Sequence, residues 1–201
     1  MNLKRTTFLT LLPILILTGC GNGTDNEPVT PDTRPVAPAI EHIAFYRTIE
    51  SDDFLLQVPE KWETLQQFPS SYPASTVVAF RNNNKDNEFV ANINIVRNEV
   101  SEGTSSADYA IETFRIESDQ LLNFKKISQT NLDLPMGETT TPSYIFEFEG
   151  TNDPTARTRG FIQIYGIKGT IAYIVTGTYA LSDSELAIDQ VKQAIKTFRL
   201  K

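Results

Sequence analysis

The sequence predicts an α+β fold, an α/β/α sandwich with a mainly antiparallel sheet and two main helices. Three observations predict it. Residues 160–167 and 170–179 are apolar at odd and even positions alike, which places them mid-sheet with both faces covered. Residues 105–122, and a second segment opening at Ser182, repeat their apolar residues at three and four, the spacing of one helix face. No self-similar period of about 20–50 residues runs along the chain, so solenoids and propellers drop out. A length of 201 residues with 40% hydrophobic and 21% charged side chains fits one domain with a tail.

Taken in order, Phe54-Leu55-Leu56-Gln57-Val58 reads as a short strand stopped by Pro59. Residues 76–81 (TVVAFR) form a second. The Asn/Asp-rich run 82–87 is a turn, because these residues tolerate left-handed dihedrals. Beyond it Phe89, Ala91, Ile93 and Ile95 alternate with Asn92 and Asn94, a strand buried on one face and hairpinned to TVVAFR. The helix over 105–122 starts at Ser105 with Asp108 three residues on and turns Ala107, Ala110, Ile111, Phe114, Ser118, Leu121 and Leu122 inward. A strand over 126–132 ends before Pro135-Met136-Gly137. Three long strands follow at 143–149, 160–167 and 170–179, the last two joined by a tight turn at Lys168-Gly169. In the first of them Glu147 and Glu149 form a wet side opposite Tyr144, Phe146 and Phe148. The closing helix opens on Ser182-Asp183-Ser184-Glu185 and buries Ala187, Val191, Ala194, Ile195 and Phe198.

The N-terminus decides the compartment. Lys4 and Arg5 precede the apolar run FLTLLPILIL over 8–17, interrupted by Pro13. As a helix that run rises only about 15 Å, half of a hydrocarbon core of roughly 30 Å, so it reads as a secretory signal peptide. Leu17-Thr18-Gly19-Cys20 resembles the lipobox of bacterial lipoproteins, in which the cysteine is acylated and becomes the first mature residue. The resemblance implies a diacylglycerol and acyl anchor on Cys20, palmitate among its chains. Each buried methylene contributes about 0.8 kcal/mol, and two or three chains anchor stably. Residues 21–41 carry four prolines and no apolar period, a tether spanning on the order of 25 Å as a coil and about 70 Å stretched. The expected organisation is a signal peptide over 1–19, lipidated Cys20 and tether over 20–41, and one globular domain over 42–201. Losing Lys4 and Arg5 takes the net charge from −7 to −9, a body repelled by nucleic acid and anionic lipid. Lys125-Lys126 and Arg157/Arg159 read as solvated faces.

Val58-Pro59, then Lys61-Trp62, then hairpin, helix, three-strand meander and a terminal helix ending Thr197-Phe198-Arg199-Leu200 resemble the PsbP-like and DcrB-like domains. These include a thylakoid-lumen subunit of photosystem II and bacterial envelope lipoproteins. The resemblance covers about 44–201 and implies an α/β/α sandwich with an accessory or binding role near a membrane. It carries over no active-site residue, and no metal-ligand set of the family is matched here.

The residues offer little chemistry. His42 is the only histidine, placed where tether meets body, and a triad needs its histidine held firmly at its nucleophile. Cys20, the one cysteine, is consumed by lipid. Glu147 and Glu149 lie two apart on one strand face, a spacing that suits acid–base or divalent-cation work, but they read first as a solvent-facing polar stripe opposite Tyr144, Phe146 and Phe148. Asp86-Asn87-Glu88 lacks the alternation and central glycine of a calcium loop, and no glycine-rich phosphate cradle occurs. Trp62, Phe68 and Tyr72, on a Pro-punctuated stretch between two strands, read first as aromatics packed onto the sheet edge; they are also the candidate binding surface, together with the loop over 151–158. The expected protein is therefore a cell-envelope lipoprotein acting as a non-catalytic binding or accessory module. Its partners are the membrane, through the anchor, and an envelope protein or small ligand, with no nucleic acid and no cofactor. The alternative is a lipid-tethered hydrolase or divalent-metal enzyme using acidic residues. Gly21 in place of aspartate favours the outer membrane, facing the periplasm, in a cell with two membranes.

Overall fold

The computed structural model describes residues 45–65, 67–68, 72–82 and 89–201. The signal segment, Cys20, the tether, His42 and Asp86-Asn87-Glu88 lie outside them. Among the described residues twelve elements follow one another: β1 Tyr46–Glu50, β2 Phe54–Pro59, β3 Glu63–Thr64, β4 Thr76–Arg81, β5 Asn92–Glu99, α1 Ser106–Gln120, β6 Leu122–Met136, β7 Thr139–Thr151, β8 Arg159–Lys168, β9 Ile171–Ala180, α2 Glu185–Lys196 and β10 Arg199–Leu200. The strands form one sheet in the order β1-β2-β10-β6-β7-β8-β9-β5-β4-β3. Every pairing is antiparallel except Leu200 of β10 beside Met136 of β6, which is parallel.

One helix lies on each face, giving the α/β/α sandwich expected. Because side chains alternate along a strand, β8 sends Ile162 and Ile164 to the α2 side and Phe161, Gln163 and Tyr165 to the α1 side. The α2-side core gathers Leu56, Val58, Phe80, Ile93, Ile95, Val175, Val191, Ile195 and Phe198. The α1-side core is aromatic: Phe114 stacks on Phe146 at 4.0 Å, Phe148 stacks on Phe161 at 5.0 Å, and Ile174 and Val96 complete it. Both β8 and β9 are buried almost throughout, as their unbroken apolar runs require. Where α2 crosses the sheet, Gly177 leaves the space: a Cβ there would come within 2.4 Å of Val191 Cγ1 and 3.0 Å of both Ile162 and Ile195.

Several elements depart from the sequence expectation. The strands β1, β3 and β10 were not anticipated, two of them being only two residues long. The polar β6 runs from Leu122 through Pro135 to Met136, held by pairing with β7 rather than by burial. The strand β5 is buried on both faces, not one: Ile93 and Ile95 enter the α2-side core, while Val96 enters the α1-side core and Asn92 and Asn94 are enclosed on that same side. In α1 the buried residues are Ser106, Ala110, Phe114 and Glu117, with Ile111 and Leu122 exposed. The helix cap of α2 is Ser184, whose oxygen accepts from Ala187 N–H at 3.3 Å, so the box does not start at Ser182.

Candidate functional site

The one buried carboxylate among the buried residues described is Glu117, and its position follows from how α1 is built. Ser105 caps the helix, accepting from Asp108 N–H at 3.0 Å. Ser106 Oγ accepts from Ile167 N–H of β8 at 2.9 Å, which pins the first turn to the sheet. From that point steps of four, four and three bring Ala110, Phe114 and Glu117 onto the same face. Glu117, only 4% exposed, meets Gln163 and Tyr165 of β8. Gln163 Nε2 donates to Glu117 Oε1 at 3.3 Å and to Thr176 Oγ1 at 3.1 Å, while Tyr165 Oη lies 3.2 Å from Glu117 Oε2. Burial pushes the Glu117 carboxyl up to about 7, against the opposing pull of its bonds to Gln163 and Tyr165. The same burial, with Glu117 beside it, lifts the Tyr165 phenol well above its ordinary value. Closed off from water, this cluster positions a helix; it does not present an acid to a substrate.

The opposite face holds the residues singled out for acid–base chemistry. Glu147 and Glu149 are half-buried rather than a wet stripe, and each meets a lysine. Lys192 of α2 reaches Glu147 Oε2 at 2.7 Å, and Lys125 of β6 comes within 3.6 Å of Glu149. Burial works against the Lys192 charge, but the Glu147 bond together with the charges of Tyr179, Glu147 and Asp189 outweighs it and raises the Lys192 pKa. Each glutamate thus faces a cation. Among the described residues no three His, Cys, Asp or Glu side chains gather as a metal site.

The aromatic trio separates. Trp62 is buried in the α2-side core, with its carbonyl accepting from Arg47 at 3.0 Å. Tyr72 is buried with Ala79 in a small cluster of its own, and only Phe68 reaches the surface, 5.6 Å from the Tyr72 ring. The packing role claims Trp62 and Tyr72. Of the basic pairs, Lys125, Lys126 and Arg157 are exposed as expected, Lys126 Nζ sitting 5.9 Å over both Phe114 and Phe146, whereas the Arg159 guanidinium lies 3.9 Å over the Phe89 ring and is buried. In the loop before Arg159, Asp153 Oδ1 accepts from Thr155 N–H at 2.8 Å and from its hydroxyl at 2.7 Å, a self-contained turn.

A second polar junction ties β1–β2 to the β8–β9 hairpin. Asp53 accepts from Lys168 Nζ at 2.9 Å and from Tyr173 Oη at 2.7 Å. These two bonds, Lys168 first, lower the Asp53 pKa, while burial and then Asp53 push the Tyr173 phenol up to about 12. Asp53→Asn is expected to bring the Tyr173 ionisation down toward the ordinary phenol value of 10.0 without restoring it fully, since the burial remains. Ultraviolet titration of the phenolate checks this; an unmoved midpoint would mean that Asp53 does not hold the hydroxyl.

Glu117 escaped the sequence reading. The signal was present as its place on the Ser106–Ala110–Phe114 line, but a line through Ala107, Ile111 and Ser118 offered equal periodicity.

Comparison with known proteins bears on the fold. No protein-family model matches the chain, and no curated protein matches it. Among solved structures, the PsbP protein of the cyanobacterium Synechocystis sp. PCC 6803 (CyanoP) superposes with a TM-score of 0.55 at 12% identity, covering 84% of this chain and 100% of that one. A protein of unknown function from Pseudomonas aeruginosa gives 0.49 at 15% identity over 76% and 94%. LpqN of Mycobacterium tuberculosis, involved in cell envelope biogenesis, gives 0.49 at 11% over 79% and 92%. The CyanoP match shows that the sandwich is shared with a PsbP protein.

Proposed function

We propose that the chain is a lipid-anchored module of the cell envelope that binds a partner without catalysing a reaction, held at the membrane by acyl chains on Cys20. The observation that supports binding over hydrolysis is how the acidic side chains are used. Glu117 docks α1, Glu147 is neutralised by Lys192 of α2, and Asp53 joins two hairpins through Lys168 and Tyr173. Carboxylates committed to fastening elements together are poor candidates for a general acid–base pair, which needs a free group within reach of substrate. The PsbP-type sandwich supports an accessory role in the same sense. Support for the anchor comes from Leu17-Thr18-Gly19-Cys20 and the tether behind it.

In cells fed labelled palmitate, the wild-type chain is expected to take up label and to sediment with membranes. Cys20→Ala is expected to take up none and to leave the membrane fraction. Cys20→Ala protein that stays membrane-bound would overturn the anchor. Crosslinking in intact cells then reads the binding role, as a discrete adduct whose yield depends on that anchor.

A further inference from the structure

The hydrogen bonds that close α1 onto the sheet can be counted proton by proton. Gln163 Nε2 has two N–H groups, spent on Glu117 Oε1 and Thr176 Oγ1. Tyr165 has one hydroxyl proton and two oxygen neighbours, Gln163 Oε1 at 2.5 Å and Glu117 Oε2 at 3.2 Å. If Glu117 is ionised, that single proton serves one neighbour, and the other oxygen faces a lone pair. If Glu117 is protonated, it donates to Tyr165 Oη, Tyr165 donates on to Gln163 Oε1, and Gln163 donates back to Glu117 Oε1. The ring then closes with every proton placed.

The surroundings favour the same state. Glu117 lies in the last turn of α1, where the carbonyl ends disfavour an anion, and that turn holds no basic residue. Around it, β7 contributes the Phe146 and Phe148 rings, β9 contributes Ile174 and Thr176, and β8 contributes Tyr165. On α1 itself, Tyr109 accepts from Asn98 of β5 at 3.1 Å, and Arg115 is paired with Glu112 at 2.7 Å and Asp119 at 3.5 Å. Lys126 of β6 sits over the outer aromatic rings and bonds Gln129 at 2.6 Å. Each nearby cation is thus engaged elsewhere. Just past the helix, Asn123 adopts a φ of 54°, and the β6–β7 register slips between Leu122 and Lys125, which makes a joint.

We propose that α1 is a proton-dependent latch: with Glu117 protonated the helix lies closed over the aromatic face of the sheet, and loss of that proton lets it open about Asn123 and uncover Phe146, Phe148 and Phe161. The closed state holds its proton more tightly than a solvated carboxyl, whose ordinary value is 4.5, since burial raises Glu117 to about 7. Closure is therefore at full strength below about 4.5, weakens as pH rises toward 7, and levels off above it.

Amide hydrogen exchange on the full chain, corrected for the intrinsic pH dependence of exchange, tests the latch. Between about pH 5.5 and about pH 8 the α1 amides are expected to lose roughly 25-fold in protection, while β8 and β9 keep theirs. Glu117→Gln, whose amide can donate to Tyr165 and accept from Gln163 without ionising, is expected to protect α1 equally at both values. Unchanged α1 protection in the wild type, or the same loss in Glu117→Gln, overturns the proposal. Should the variant fail to fold, a carbon-13 carboxyl titration of the wild-type chain decides it: a Glu117 midpoint above about 6 supports the latch and one below overturns it.

Discussion

Phe146→Ala is expected to destabilise the domain by about 3–5 kcal/mol, the usual range for emptying a buried aromatic site. Phe146 is almost fully buried on β7 and takes ring contacts from four directions: Phe114 stacked at 4.0 Å, Tyr165 edge-on at 5.9 Å, Tyr144 at 5.8 Å, and the Lys126 ammonium above it. The surrounding rings are rigid and belong to different elements, so they cannot collapse into the vacated space. The loss is expected to fall on the α1 side, because Phe114 is the helix's main apolar anchor and would lose its stacking partner. Denaturant unfolding measures the total, and near-ultraviolet dichroism reports the aromatic cluster. A loss under about 1 kcal/mol would mean that the cluster repacks freely, contrary to a close-packed interior.

Gly177→Ala tests the other face and is expected to cost about 2–3 kcal/mol, toward the upper end for overpacking a core. The added methyl would stand 2.4 Å from Val191 Cγ1, far inside contact distance, with Ile162 and Ile195 at 3.0 Å closing the sides. All three neighbours are fully buried branched side chains with few other rotamers to take. Relief has to come from α2 shifting off β9. Pairing the change with Val191→Ala removes the nearest obstacle, so the double variant is expected to be more stable than the sum of the two single losses predicts. Strict additivity would place the clash somewhere other than the α2–β9 contact.

The sheet centre and α2 were readable from the chain because burial there is one-signed. Residues in β8 and β9 are apolar whichever way they point, and α2 carries Val191, Ala194 and Ile195 on a single stripe. The rotation of α1 was not readable. Its inward face includes Ser106 and Glu117, and these are satisfied by Ile167 and by Gln163 and Tyr165, groups 46 to 61 residues away. A polar residue whose partners are that distant looks like a surface residue until the sheet is assembled. The strand β6 was underestimated for a related reason: Lys125, Lys126, Gln129 and Asn131 give no apolar alternation, yet backbone pairing to β7 carries the strand over 15 residues. Trp62 and Tyr72 show the converse, since aromatics on an irregular segment read as packing side chains before they read as a binding lip, and both are buried.

The seam at β10 bears on the order in which the molecule can assemble. Among the described residues only Arg199 and Leu200 join the β1–β2 ribbon to the rest of the sheet, and the neighbouring bond from Gln57 N–H to Thr197 Oγ1 closes 140 residues of chain. The β8–β9 ribbon, by contrast, closes across Gly169 and Thr170 alone. Chain-closure entropy grows with the length enclosed, and rates fall as contacts become more distant in sequence. The meander can therefore zip up early and locally, while the first two strands wait for Arg199 and Leu200, the slowest search the topology demands.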